Sequence, residues 1–249
     1  AAGAVVLLAV VWGTCVAQPG LFVLAILPMG WAAYVATSLV FRLVAVGVPG
    51  RVRRSPHYWE GLRAFTLRQV EGHVSTGCQA LSCTCVLVAC AVCMICAGLL
   101  FSVGQRAAGL ADPGALSEAS LAPIGYVGIF YGEAFLVAAA AVLALQQVSQ
   151  ATDGRRAYAT LMALGTDERE VRGAVRAQVG VAFALPAALA VVHDGFGLML
   201  VRQLARGVPD EVFLAIAACS VVGTLGLLAL YYLLCVRECT RVLLGAASA

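Results

Sequence analysis

Ala80-Leu-Ser-Cys-Thr-Cys-Val-Leu-Val-Ala-Cys-Ala-Val-Cys-Met-Ile-Cys-Ala-Gly-Leu-Leu-Phe101 contains no charged residue, and its length decides the fold. A helix of about 20 apolar residues, at ~1.5 Å per residue, crosses the ~30 Å hydrocarbon core of a bilayer. A surface helix of a soluble protein would instead carry a polar face. Four further runs share the pattern: Leu21–Phe41, Ile124–Leu145, Gln178–Leu200 and Val212–Val236, interrupted only by Glu133 and by the pair His193-Asp194. A sixth, Gly3–Ala17, is short for a crossing. It could be the stump of a cut helix. A signal peptide ending near Val16-Ala17-Gln18 is the rival reading, although no basic segment precedes the run. Ala1 in place of methionine suggests a fragment or a processed form.

The composition agrees. Of 249 residues, 62% are hydrophobic and 12% charged, and the mean hydropathy is +0.94. A soluble domain has about 45–50% apolar and about 25% charged residues, so a soluble enzyme or a nucleic-acid-binding module is excluded. The expected fold is an all-α integral membrane protein of about six transmembrane helices.

Arginine placement sets the expected orientation. All 16 basic residues are arginine. Thirteen of them (Arg42, Arg51, Arg53, Arg54, Arg63, Arg68, Arg155, Arg156, Arg169, Arg172, Arg176, Arg237 and Arg241) follow the second span, separate the fourth from the fifth, or follow the sixth. Only Arg106, Arg202 and Arg206 occupy the opposite loops. The first group is therefore expected in the cytoplasm, with both termini inside and Ser102–Pro123 outside the cell membrane. The chain divides into two N-terminal spans (1–48), a cytoplasmic or interfacial segment (49–78) and a four-span module (79–249).

Two cytoplasmic segments are patterned. In Gly50–Gly77, Ser55-Pro56 reads as an N-cap with proline at the first helical position. Tyr58, Trp59, Leu62, Phe65, Val70 and Val74 share one arc, with Arg68 and Glu71 opposite, which predicts an amphipathic helix in the headgroup layer. In Ser149–Ala177, a helix continues out of the fourth span through Arg155-Arg156-Ala157-Tyr158 to Leu164, and Gly165 fits the left-handed position that ends it. Thr166 or Asp167 caps the next helix, with Glu168 and Glu170 in its first turn and Arg172 one turn after Glu168. The result is a helical elbow below the membrane, and Pro186 should bend the span that follows.

Few residues invite chemistry. Cys90-x-x-Cys93-x-x-Cys96 has the spacing of a cluster-ligand run. On a helix, however, Cys78, Cys85 and Cys96 form one stripe, with Cys83 and Cys90 on another nearly opposite, so small buried hydrophobes are the better reading. Glu133, inside the fourth span, and His193, beside Asp194 in the fifth, are the candidate intramembrane functional residues, because ionisable groups at that depth are costly. Gly128-x-x-x-Gly132 offers a close-packing face. No assembled catalytic motif and no cofactor site is present in the sequence. An intramembrane enzyme built on Glu133 and His193 is a minor alternative.

Tyr126–Phe130, Leu143-Ala144-Leu145-Gln146-Gln147-Val148-Ser149, Arg156-x-Tyr158, Leu161–Glu168, Gln178, Phe183-Ala184-Leu185-Pro186 and His193 occur in an order that carries a resemblance. This stretch resembles the C-terminal part of an FtsX-like ABC transporter permease, most closely the bacitracin-export or antimicrobial-peptide-resistance type. The likeness is specific from Tyr126 to Leu200 and looser to Arg241. It implies a permease without its own nucleotide site, partnered by a separate ATPase dimer acting on the elbow. The coupling residues would be Arg155, Arg156, Tyr158, Leu161, Met162, Leu164 and Gly165. Permeases of this type carry a large extracellular domain where this chain has only Ser102–Pro123, about 20 residues and too few for a folded domain. Since the wider family includes mechanical transmitters, the alternative is a signalling or scaffold protein that passes ATPase state to a partner such as a sensor kinase.

Overall fold

The computed structural model describes residues 2–59, 61–104, 118–205 and 207–245. They form helices α1 (Ala2–Ala17), α2 (Pro19–Leu24), α3 (Ile26–Val52), α4 (Arg63–Leu99), α5 (Glu118–Ala163), α6 (Glu168–Leu204) and α7 (Asp210–Leu244). A 3-10 turn at Pro56–Trp59 precedes α4, and a π-type turn at Leu100–Gly104 follows it. No strand occurs among the described residues. Residues 105–117, most of the expected outer segment, lie outside the description, as does Arg206.

Five helical segments are long and apolar enough to cross a membrane: Ile26–Val52, Val74–Gly104, Gly125–Ala163, Glu168–Leu204 and Asp210–Leu244. The helix over Gly3–Ala17 is shorter. Some hydroxyls along the spans bond within their own helices: Ser82 Oγ donates to the Cys78 carbonyl at 2.6 Å and Ser220 Oγ to that of Ile216 at 2.9 Å, whereas the Ser38, Thr84 and Thr224 hydroxyls are buried without a partner among the described residues. Large apolar side chains such as Leu27, Trp31, Val46 and Val222 face outward. On a soluble protein such a surface would be sticky, whereas in a bilayer it is solvated by lipid.

The second apolar run is broken rather than continuous. Ala25 separates α2 from α3, and Pro28, at the third position of α3, supplies the reason. Its ring clashes with the carbonyl one turn earlier, while at that position its missing N–H costs no bond.

The segment before the third span also departs from expectation. Ser55-Pro56 opens only the short turn Pro56–Trp59, which ends before Gly61, at φ +54°, in the left-handed region where glycine is favoured. Helix α4 then starts at Arg63 and runs through the third span without a break. Tyr58 and Val74 are buried, and Leu62, Phe65 and Val70 pack partly buried against the core; Trp59 alone of that arc is 80% exposed. The apolar arc thus faces neighbouring helices instead of lipid headgroups. Arg53 pairs with Glu71 at 2.5 Å, joining the end of α3 to the polar side of α4.

Helix α4 is the hub, touching α3, α5, α6 and α7. Its glycines set the closest approach. A Cβ on Gly98 would lie 2.6 Å from the Gly125 carbonyl oxygen and 2.7 Å from the Ile129 nitrogen. One on Gly132 would meet Ile95 Cγ1 at 2.5 Å and the Ala91 carbonyl oxygen at 3.0 Å. The partner of the Gly128-x-x-x-Gly132 face is therefore α4, and Gly125 extends the seam by a turn. The cysteines of α4 fall as the two stripes require: Cys78, Cys85 and Cys96 are buried, Cys83 and Cys90 exposed.

Gly98→Val and Gly132→Val should each destabilise the chain by roughly 1–3 kcal/mol through overpacking. At Gly226 a Cβ has nothing within 4 Å, so Gly226→Ala should be neutral or slightly stabilising. Thermal unfolding in one detergent compares all three; similar midpoints would remove the seam as the determinant of packing.

Candidate functional site

The turn between α5 and α6 is closed by a defined set of backbone bonds. The Thr166 N–H donates to the Leu161 carbonyl at 3.2 Å and the Gly165 N–H to that of Met162 at 3.0 Å, with Gly165 at φ +95°. This six-to-one and five-to-two pair is a Schellman cap, and glycine is the residue that adopts its left-handed position without strain. Asp167 then caps α6: its backbone is extended and its Oδ1 accepts from the Arg169 N–H at 3.4 Å. Glu168 pairs with Arg172 at 3.1 Å across one turn. Between them these contacts satisfy end groups that would otherwise be orphaned on both helices.

The residues expected at the elbow separate into three groups. Arg155, Arg156, Leu164 and Gly165 are exposed, with Leu164 at 79%. Leu161 and Met162 are half-buried against the main core. Tyr158, with only 2% of its surface exposed, lies inside. Its ring meets Phe65 of α4 edge-on at 5.1 Å, and its hydroxyl donates to Gln178 Oε1 of α6 at 3.0 Å. Tyr158, expected among the coupling residues, thus ties three helices together at the base of the elbow. Around it runs a glutamine seam: Gln147 donates to Gln150 Oε1 at 3.0 Å, while Gln146 Oε1 and Gln178 Nε2 are buried without a partner among the described residues. Gln178 entered the family resemblance, but its role with Tyr158 had no sequence signal, because helix phase across a turn is needed to bring the two together.

In the half of the bundle away from the elbow, His193 is held from both sides. The Trp12 indole N–H donates to His193 Nδ1 at 3.2 Å, and Thr37 Oγ1 lies 3.0 Å from Nε2. An indole N–H can only donate, so Nδ1 accepts and Nε2 carries the proton toward Thr37. Trp12 also stacks on Phe196 at 4.5 Å, and Cys15 reaches the Phe196 carbonyl. The imidazole therefore joins α1, α3 and α6. Asp194 is buried, its carboxyl 3.9 Å from Cys93 Sγ. Glu133 is exposed on α5, and no hydrogen bond joins it to His193. The two candidate intramembrane residues are not brought together. No group of three or more histidine, cysteine or acidic side chains converges as for a metal among the described residues. Trp12 and Thr37 were missed because each lies more than 150 positions from His193 in the chain.

Five membrane-length helices with apolar outward faces define a multi-pass, all-helical membrane protein. Over 73 residues the chain is 33% identical to the ABC transporter permease protein YxdM of Bacillus subtilis (strain 168), a match covering 29% of this chain and 12% of that protein. The chain thus spans about an eighth of that relative's length. No family model matches, and no solved structure matches significantly. The likeness supports a membrane permease in general terms.

Tyr158→Phe should cost roughly 1–3 kcal/mol, because it leaves the buried Gln178 amide without a donor. Leu164→Ala should lie within about 0.5 kcal/mol of wild type, as surface changes do. If unfolding midpoints reversed that order, the division between strut and exposed tip would be wrong.

Proposed function

We propose that this chain is the membrane-spanning permease subunit, or part of one, of an ABC transporter, and that a separate ATPase dimer acts on the α5–α6 elbow. The observation that carries the reading is the elbow itself. Two helices, each continuous with a membrane-length span, meet at a capped turn whose tip exposes Leu164 beside the Arg155-Arg156 pair. A transmitting element must not bend under load, and Tyr158, Phe65 and Gln178 brace its base. The likeness to a permease supports the class and implies an ATPase partner. The resemblance to FtsX-like permeases of the bacitracin-export type extends it to removal or export of a peptide antibiotic or a lipid-like substrate. No nucleotide chemistry is assigned to this chain.

In this reading the chain crosses the cell membrane six times, with both ends in the cytoplasm. The C-terminal end of α1 lies beside that of α6, where Gln203 Nε2 donates to the Val16 carbonyl at 3.1 Å. The two helices therefore run the same way, which supports the reading of α1 as a leg in an alternating set of α1, α3, α4, α5, α6 and α7. Glu133, on the exposed side of α5, is the assigned contact with substrate or a neighbouring subunit, while His193 serves as a clamp. A second reading, a mechanical transmitter serving a partner such as a sensor kinase, is favoured by the brevity of Ser102–Pro123.

Two measurements test this. In a cysteine-free background, Glu211→Cys should react with an impermeant thiol reagent in intact cells and Ala157→Cys should not; the opposite pattern overturns the orientation. Leu164→Glu should leave insertion intact and cut ATPase co-purification roughly ten- to a hundredfold, as loss of one buried leucine implies. Leu161 and Met162 are unsuitable for this test because part of each side chain packs in the core. Wild-type recovery of the ATPase with Leu164→Glu would sink the coupling assignment.

A further inference from the structure

A cleft of about 690 Å³ lies between α6 and α7 at the end that carries the elbow. Four arginines border it in two tiers. Arg176 and Arg237 stand at the edge of the apolar spans; Arg172 and Arg241 stand four residues farther from the membrane on the same helices, about 6 Å lower. The lower tier is neutralised within the chain, Arg172 by Glu168 at 3.1 Å and Arg241 by Glu238 at 2.9 Å. The guanidinium groups of the upper tier make no ion pair or hydrogen bond among the described residues. Tyr232 fixes the level: its hydroxyl approaches the Arg176 carbonyl at 3.5 Å, and its ring lies 6.0 Å from that of Phe183. Above the upper tier the wall is Tyr232, Leu233 and Val236, the last part of the apolar run of α7.

We propose that this cleft binds the headgroup of an anionic phospholipid, its phosphate between Arg176 and Arg237 and its acyl chains along the apolar wall of α7. The order of chemistry from membrane to cytoplasm (apolar wall, aromatic hydroxyl, uncompensated arginines, compensated arginines) matches that of an acidic lipid from tail to headgroup. Guanidinium groups bind phosphate through two parallel hydrogen bonds, which suits a fixed headgroup better than a diffuse counterion cloud. A tyrosine at headgroup level is likewise favoured. A nucleotide or an acidic peptide would match the arginines but would leave the apolar wall facing a polar ligand. The inference requires that the chain lie in a bilayer; it does not depend on any ATPase.

The full chain, purified in neutral detergent, is titrated with phosphatidylglycerol or phosphatidylcholine, and bound lipid is read by native mass spectrometry. Wild-type protein should retain phosphatidylglycerol in preference to phosphatidylcholine. Arg176→Gln with Arg237→Gln should weaken phosphatidylglycerol about thirtyfold, since each arginine near a lipid surface contributes about a factor of five. The charge-matched pair Arg155→Gln with Arg156→Gln, on the elbow away from the cleft, should bind as wild type. Equal loss in both pairs would mean general charge attraction and overturns the proposal. So does a wild-type protein that does not distinguish the two lipids, a result that requires no variant to fold. Displacement of the lipid by soluble glycerol 3-phosphate would identify a soluble anion as the ligand and also overturns it.

Discussion

Backbone-to-backbone contact between α4 and α5 is the constraint on which the other helices depend. In lipid there is no hydrophobic force to press two apolar helices together, so association must come from close packing and interhelical polar contact. The glycine seam supplies the first at one end of the pair, where Gly98 meets Gly125 and Gly132 sits against Ile95 and Ala91. A second close fit lies at the other end. Gly77 of α4 leaves room for the Gln146 side chain of α5, whose amide nitrogen would collide with a Cβ there. Helix α5 is thus gripped at two heights, and its direction as it leaves the span is set by α4.

That geometry explains why the elbow is braced as it is. Helix α5 has 46 residues, about 70 Å of rise and more than twice the bilayer core. An unsupported rod of that length would flex beyond its last lateral contact. Phe65 and Tyr158 extend the contact between α4 and α5 below the apolar seam, and Gln178 carries it across to α6. The amphipathic arc of Leu62, Phe65, Val70 and Val74 is spent on this brace and so is not available to the membrane surface.

How much of this was legible in the sequence follows from the range of the forces involved. The Schellman turn at Gly165, the Asp167 cap and the Glu168–Arg172 pair are all local, and residue type and spacing indicated them. The two cysteine stripes of α4 were legible for the same reason, since helix phase alone separates Cys85 from Cys90. What depends on a distant partner was not. The arc from Tyr58 to Val74 has the pattern of a lipid-facing helix, and only the presence of Tyr158 opposite Phe65 tells protein from headgroup as its cover. Tyr158 itself reads as a surface tyrosine among arginines until the phase of α5 against α6 is known. The break at Ala25 was hidden by an apolar run that hydropathy treats as uniform, although Pro28 stood in it.

The polar groups of the membrane interior divide by the same principle. A buried donor or acceptor in lipid must find a partner within the protein, and His193 does so through residues of α1 and α3. The consequence is architectural. Helix α1 meets the bundle through α3 and α6. Trp12 anchors it to α6 twice, by the hydrogen bond to His193 and by stacking on Phe196, while Cys15 and Val16 continue the contact toward the end of α6. The ionisable residue that looked most like chemistry is therefore best explained by assembly: it joins α1 and α3 to α6. Glu133 has no such explanation within the chain. Its carboxyl is exposed from a span whose neighbouring outward residues, Phe130 and Val137, are apolar, and a carboxylate at that depth calls for a polar partner. The clamp at His193 and the open face at Glu133 thus mark opposite sides of the bundle's polar economy, the one closed within the fold and the other directed to whatever adjoins α5.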